Sequence, residues 1–291
     1  MSIPSPDLYQ ATLARQSVRR YEKEPLDEPT LSQVEQIVSA VEPLVPDNDF
    51  RVILRHAPPG TDLVRDLGGY GRVVNPPHYL VPYVVGQQHA LVDAGYRVEQ
   101  MSVRLAAMGL GSCFIGAVAR ESEVRARFSL PEAARIGAFL VFGRPSTGLG
   151  GRTTNRLLRS VAGASRKLGT NDVFFEGSFE NRATPPAQLA PLLEAARHAP
   201  SAVNAQPWRF LWVEENLYIF VTKDNFRYGR GLHQQYRLHD GGAAMANIAM
   251  AMEALNLDCR WELVEEIGPH LPEHPSNLQP LARLVMDGKG R

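Results

Sequence analysis

The sequence predicts an α+β fold made of two related halves that close into one intertwined pseudo-twofold body, and three observations carry that prediction. First, LVDAGYRVEQMSVRLAAMGLGSCFIG (91–116) superposes without a gap on part of RLHDGGAAMANIAMAMEALNLDCRWELV (237–264). Asp93 falls on Asp240, Gly95 on Gly242, Val103 on Met250 and Leu110 on Leu257. Second, each copy is preceded by a helix-patterned segment and then a strand-patterned one. Third, each half ends on a closing apolar strand, IGAFLVFG from Ile136 and LARLVM from Leu281.

The first half spans 1–149. Pro and acidic residues open LDEPTLSQVEQIVSAVEP (26–43), and Leu31, Val34, Ile37 and Val38 recur at helical spacing. FRVIL follows from Phe50, then HYLVPYVVG, then the long helix 91–109 and its closing strand. A connection over 150–171 is rich in Gly, Ser, Thr and Arg and carries no strand pattern. Its Leu157, Leu158 and Val161 stripe predicts a short helix. The second half, 172–291, repeats the order: helix TPPAQLAPLLEAARHAP (184–200), strand WRFLWV from Trp208, long helix 237–257 and closing strand. It lacks residues between its first two strands. Small apolar residues surround the second long helix (Ala243, Ala244, Met245, Ile248, Ala249, Met250), so most of its faces are buried. Two such helices from two similar halves point to a shared core; the competing arrangement is two independent beads.

Composition excludes several functions. Lysine plus arginine equals aspartate plus glutamate at 31 each, so no global field attracts nucleic acid or an anionic membrane. The N-terminal MSIPSPDLYQATLARQ lacks the charged start and apolar run of a signal peptide, and the apolar stretches are strand-sized, which predicts a soluble, cytoplasmic protein. Cys113 and Cys259 are unpaired in spacing and read as core residues. His270 and His274 are a pair at helical spacing in GPHLPEHPS, but the prolines of that stretch forbid a continuous helix, which argues against a metal site. HExxH, Walker and GxSxG patterns are absent from the sequence.

Two stretches concentrate polar chemistry. Arg15, Ser17 and Arg19 form an R-x-S-x-R triplet, whose alternation in an extended segment puts three side chains on one face. Two guanidiniums beside a hydroxyl suit an anion, each charge-assisted bond contributing roughly 1.5–3 kcal/mol. Far downstream, APSAVNAQPWRF (199–210) crowds small and amide residues ahead of a strand.

Together, R-x-S-x-R, P-S-x-x-N-x-Q-P-W, a long helix ending G-L-G-S-C-F-I-G and a strand ending F-G-R-P resemble the FMN-dependent nitroreductase family over nearly the whole chain. The resemblance implies a nitroreductase-like mixed sheet wrapped by helices, and normally a homodimer with two FMN sites at its interface. Each such site takes the R-x-S-x-R segment from one subunit and the P-S-x-x-N loop from the other. This chain departs from that pattern. After the first helix it reads VEPLVPDNDF, with no Ser-x-x-Asn, and the second half enters on FFEGSFENRATPP, where only Ser178 and Arg182 echo the triplet. Each half lacks what the other keeps. The expectation is therefore a single-chain tandem, a monomer acting as its own pseudo-dimer with one FMN site per chain.

Carried over residue by residue, the resemblance puts Arg15 and Ser17 on the FMN phosphate and Arg19 near the flavin N1 and O2 edge. Pro200, Ser201, Ala202 and Asn204 line the ring and ribityl, with Gln206 beside them. Trp208 serves either the flavin or simply the core. Ile115 and Gly116 present main chain to flavin N5, glycine permitting close approach. Arg152 or Arg156 supplies a further phosphate contact, and Gly69 and Arg72 further flavin contacts. The implied reaction moves a hydride from NAD(P)H through flavin N5 to an electron-poor acceptor, a nitroaromatic or quinone. The alternatives are a flavin-binding or storage protein without turnover, and a cofactor-free interaction protein.

Overall fold

The computed structural model describes residues 5–58, 73–146 and 167–286. Its two sheets share one topology. In the first, β1 (Asp49–His56), β2 (His78–Val85), β3 (Gly111–Gly116) and β4 (Ala138–Gly143) stand in the order β1-β2-β4-β3, every pair antiparallel. In the second, β5 (Phe174–Glu176) precedes β6 (Trp208–Val213), β7 (Asn216–Thr222), β8 (Cys259–Leu263) and β9 (Leu278–Met286). The order β6-β7-β9-β8 repeats that of the first sheet, and β5 adds a parallel strand beside β6.

The helices obey the sequence signals. Asp27 caps α2 (Glu28–Ser39) through its side chain, which accepts from Thr30 N at 2.9 Å, and Pro29 occupies the first turn. Leu31, Val34 and Ile37 form its buried stripe. The helix α3 (Ala90–Ala107) connects β2 to β3, and a left-handed Gly109 lets the chain turn into the strand. Within the second half, α5 (Ala190–Arg197) corresponds to α2, and α6 (Tyr236–Ala254) to α3; a small α4 (Glu121–Phe128) lies between β3 and β4. Where the first half spends residues 57–77 between its first two strands, β6 and β7 are joined by Glu214 and Glu215 alone. Both have positive φ, as a two-residue hairpin requires.

α3 and α6 pack against each other at the centre, and glycine decides how closely. A Cβ added at Gly95 would lie 2.0 Å from the His239 carbonyl oxygen; one at Gly242 would lie 1.9 Å from the Val92 carbonyl oxygen. The two contacts are reciprocal, because Val92 and Gly95 sit at the repeat positions of His239 and Gly242. Val92 and Tyr96 of the first half are buried among Trp208, Phe210, Ala243 and Met245 of the second. The sequence patterning had placed no helix at its start, yet α1 (Ser5–Ala14) is there, burying Leu8 and Ala11 against Val103 of α3 and Met250 of α6. Tyr9 Oη donates to Pro191 O at 3.3 Å, tying α1 to α5.

Candidate functional site

The R-x-S-x-R segment leaves the end of α1 and runs beside the start of β3. Ser17 pairs in parallel with Ser112, and Val18 N donates to Ser112 O at 2.8 Å. Glycine is required opposite, since a Cβ at Gly111 would meet Val18 at 2.7 Å. Arg15, whose N–H still donates to Ala11 O at 2.8 Å at the end of α1, is buried, Gln16 is exposed, and Ser17, Val18, Arg19 and Arg20 are all half-buried. Burial pushes the neighbouring Cys113 thiol up from its ordinary value, while Arg19, Arg15 and Ser17 pull it back, so this cluster carries a positive local potential.

The 199–207 loop is strained and heavily braced. Val203, Asn204 and Gln206 have φ of 50°, 54° and 48°. Non-glycine residues there cost on the order of 1–3 kcal/mol each, most for a β-branched valine. Ser201 Oγ accepts from Gln206 N at 3.0 Å, and Gln206 Oε1 accepts from Leu168 N at 2.9 Å. Asp240 holds the loop from α6, accepting from Ala202 N at 2.9 Å and from Tyr228 Oη at 2.8 Å. Burial raises the Asp240 carboxyl above its ordinary value, opposed by His239, Tyr228 and the Ala202 N–H. Asn204 and Gln206 are buried, Pro200, Ser201 and Ala202 half-buried, and Trp208 is fully enclosed in the core, where it seats the strand.

These two segments, 183 residues apart along the chain, meet: Arg15 Nη2 donates to His198 O at 3.2 Å, at the head of the loop. Lys167 Nζ donates to Ala199 O at 2.6 Å, and Arg197 Nε to Leu168 O at 3.0 Å. Glu99 of α3 lies beneath them, its Oε1 3.0 Å from Arg15 Nε. The end of β3 joins from the other side, for Val118, Ala205, Tyr228 and Tyr236 form one apolar cluster with Ala202 and Val203 against it. Ile115 is buried in the first-half core. At Gly116 the missing Cβ has a use the sequence did not reveal: Tyr236 Oη would lie 2.3 Å from it, so glycine admits a tyrosine of the opposite half.

Gly69, Arg72, Arg152 and Arg156, with the Leu157, Leu158 and Val161 stripe, lie outside the described residues. Ser178 and Arg182 are exposed in the turn after β5, Arg182 paired with Asp172 at 3.4 Å.

In the first half the segment after α2 is held by a different set of bonds. Asp93, the repeat partner of Asp240, likewise braces the loop after its half's first sheet-packed helix, accepting from Leu44 N at 2.9 Å and Val45 N at 3.3 Å. There, however, Arg97 Nε sits 3.0 Å from Asp93 Oδ1, Arg97 Nη2 donates to Val45 O at 3.2 Å, and Asn48 Nδ2 donates to Asp93 Oδ2 at 3.2 Å. The guanidinium also lies 5.1 Å over the Phe50 ring. The repeat partner of Arg97 is Ala244.

Sequence reasoning missed Asp240, Tyr228, Tyr236, Glu99 and Lys167 as site residues. Asp240 was visible as the mate of Asp93; Glu99 stood out as a charge whose mate is Ala246. Lys167 and the tyrosines gave no local signal, since their partners are remote. Among the described residues no group of three His, Cys, Asp or Glu is placed to hold a metal ion, and no helix is long and apolar enough to cross a membrane.

A family model described as "Putative TM nitroreductase" matches residues 7–230. Curated proteins yield no match. Among solved structures, a Thermotoga maritima protein described as "a putative nitroreductase" aligns at a TM-score of 0.56 and 16% identity, covering 97% of this chain and 94% of its own. That likeness shows a shared fold. Nitroreductase A of Vibrio parahaemolyticus aligns at 0.41 and 19% identity, over 48% of this chain and 68% of its own. An FMN-dependent nitroreductase of Clostridium difficile aligns at 0.37 and 16%, over 46% and 85%.

Proposed function

The chain belongs to the TM nitroreductase family whose model spans most of it, and from that premise we propose that it is an FMN-dependent oxidoreductase, with one flavin site between its two halves. The observation that carries the reading is the contact of buried Arg15 with the head of the 199–207 loop, which joins two motifs from opposite ends of the chain in one place.

The residues fit the group. Among the described residues Arg15 Nη1 is buried with no hydrogen-bond partner, as suits a donor kept for a phosphate oxygen, and Lys167, with Ser17 and Arg19 about the neighbouring Cys113, lies near it. The left-handed backbone at Val203 and Asn204 turns the loop, and Asp240 fixes it before a ligand arrives, so less ordering entropy is lost on binding. Arg19 supplies fixed positive charge for the pyrimidine edge. Ile115 and Gly116 offer main chain from the first half, Gly116 against the hydroxyl end of Tyr236. FMN held by these residues would supply the redox chemistry, hydride transfer between NAD(P)H and a nitroaromatic or quinone-like acceptor. The protein's part is to hold, orient and shield, so no side-chain nucleophile or base is assigned.

The halves, 1–149 and 172–291 joined through 150–171, act in this reading as a pseudo-dimer within one cytoplasmic monomer. Arg97 and Asn48 bond Asp93 in the second, symmetry-related place, which supports one site rather than two.

Anaerobic mixing of the FMN-loaded protein with NADH and with NADPH tests the function. The yellow absorbance is expected to bleach with at least one nucleotide and return with an acceptor. Bound flavin that neither nucleotide bleaches would favour the non-catalytic flavin-binding alternative. Protein that stays colourless after FMN is added would leave an interaction role.

A further inference from the structure

The second half carries a segment that the first half lacks, and its foot stands on the P-S-x-x-N loop. Between β2 and α3 the chain spends four residues, 86–89; between the corresponding β7 and α6 it spends thirteen, 223–235. Asn225 Nδ2 donates to Ala205 O at 3.5 Å, and Tyr228 Oη to Asp240 Oδ2 at 2.8 Å. Tyr228 also packs in one cluster with Ala205 and Val118. Gln234 Nε2 donates to Asn225 O at 3.0 Å and closes the segment on itself, while Arg135 Nη2 of the first half donates to Gln235 Oε1 at 2.6 Å. Gly229 and Gly231, both at positive φ, turn the chain on either side of Arg230.

The outer side of this arm is apolar and cationic together. Phe226 is 86% exposed and Leu232 57%, the two most exposed large apolar side chains among the described residues. Arg227 and Arg230 are exposed between them, and the Arg227 guanidinium lies 6.0 Å from the centre of the Phe226 ring. Lys223, Arg227 and Arg230 stand against one carboxylate in the segment, Asp224. A phenyl ring left in water beside two guanidiniums contributes nothing to the core; it suits a ligand that brings an aromatic ring and negative charge together.

We propose that this arm docks the reducing dinucleotide, with Phe226 stacked on the adenine and Arg227 and Arg230 on the pyrophosphate. This rests on the flavin-site reading for what the docked nucleotide does. A quinone or nitroaromatic brings a ring without charge, whereas the dinucleotide brings both. Its nicotinamide alone has to enter beside the flavin, so its adenylate half must be held at the rim, where the arm stands. The first half, which lacks the P-S-x-x-N loop, lacks the arm as well.

The test compares the FMN-loaded native protein with R227Q/R230Q and with F226A, changes confined to exposed side chains. Anaerobic stopped-flow bleaching by NADH and NADPH gives a half-saturating concentration and a limiting rate. Reduced nicotinamide mononucleotide, which lacks the adenylate half, is run beside them. ADP-ribose, which lacks the nicotinamide, is titrated calorimetrically into protein with and without FMN. R227Q/R230Q is expected to raise the half-saturating dinucleotide concentration about tenfold or more, to leave the limiting rate unchanged, and to flatten its dependence on salt. F226A is expected to raise it about fivefold or more. Both should weaken ADP-ribose binding and leave the response to the mononucleotide unchanged. Unchanged half-saturation, an equal loss with the mononucleotide, or an effect confined to the oxidising acceptor overturns the docking and leaves the flavin reading standing. ADP-ribose binding that needs Arg227 and Arg230, in protein that takes up no FMN, overturns the flavin reading and supports the docking. Where FMN binds but neither nucleotide bleaches it, ADP-ribose decides: binding lost in R227Q/R230Q supports the docking, and binding absent or unchanged overturns it. Binding of neither FMN nor ADP-ribose overturns both.

Discussion

Replacing Gly242 by alanine tests the central packing of the molecule. The new Cβ would stand 1.9 Å from Val92 O, 2.8 Å from Val92 C and 2.9 Å from Tyr96 N, against 3.4–4 Å for ordinary contact. Every one of these atoms is main chain of α3, so relief requires α3 and α6 to separate by about 1.5 Å rather than one side chain to turn. Overpacking of this kind costs about 3 kcal/mol or more, and the better helix propensity of alanine returns about 1 kcal/mol. A net loss of about 2 kcal/mol lowers the melting temperature by roughly 4–8 °C in a protein of this size. Thermal unfolding followed by circular dichroism reads it. Gly241 is the control, because its added Cβ would meet the movable side-chain ends of Leu281 and Val221; Gly241→Ala is expected to cost less. The reciprocal Gly95→Ala should cost about as much as Gly242→Ala, and the double variant less than their sum, since one separation relieves both clashes. A Gly242→Ala protein as stable as Gly241→Ala would refute the reasoning.

Three further outcomes follow from the site and its supports. Asp240→Ala removes the acceptor shared by Ala202 N and Tyr228 Oη; we expect flavin affinity to fall about tenfold or more and stability by about 1–3 kcal/mol, read by fluorescence titration and urea unfolding. Arg15→Ala or Asn204→Ala should weaken FMN binding, whereas Ser178→Ala or Arg182→Ala should leave the dissociation constant unchanged, because those two lie exposed in the turn after β5. His78 is fully buried and its Nε2 accepts from Leu26 N at 2.8 Å, which only the neutral ring can do; burial, aided by His56, lowers it from 6.5 to about 4. Its contribution is therefore present above pH 6.5 and lost as pH falls from 6.5 to about 4. Denaturant unfolding across that range should show stability falling with acid, and a folded His78→Gln variant should show a shallower fall.

Much of this architecture was legible because a repeated sequence pattern leaves marks that single propensities do not, and the order β1-β2-β4-β3 does recur as β6-β7-β9-β8. Gly95 and Gly242 carry no secondary-structure signal of their own, yet their matched positions marked the place where two backbones touch. R-x-S-x-R and P-S-x-x-N lie in opposite halves of the chain, and Arg15 donates to His198 O just ahead of the second. What stayed hidden depends on tertiary context. α1 was missed because its apolar face is only Leu8 and Ala11 over a few turns, and it is stabilised by α3 and α6 rather than by propensity. The left-handed Val203 contradicts its own β-branched preference and is held there by Asp240 and the Gln206 bonds. Glu214-Glu215 lacks the usual hairpin residues and turns because β6 and β7 pair on either side. Lys167 is anonymous in sequence, and only folding brings it onto Ala199 O, beside the bond from Arg15 to His198 O.

The central claim is one flavin site built from two unequal halves, and the stoichiometry of FMN binding tests it most directly. Titration of the apoprotein, followed by quenching of flavin fluorescence at known protein concentration, is predicted to saturate at one FMN per chain. Saturation at two would show that the place where Arg97 and Asn48 bond Asp93 also opens to flavin, and no saturable binding would remove the site altogether; either result contradicts the account.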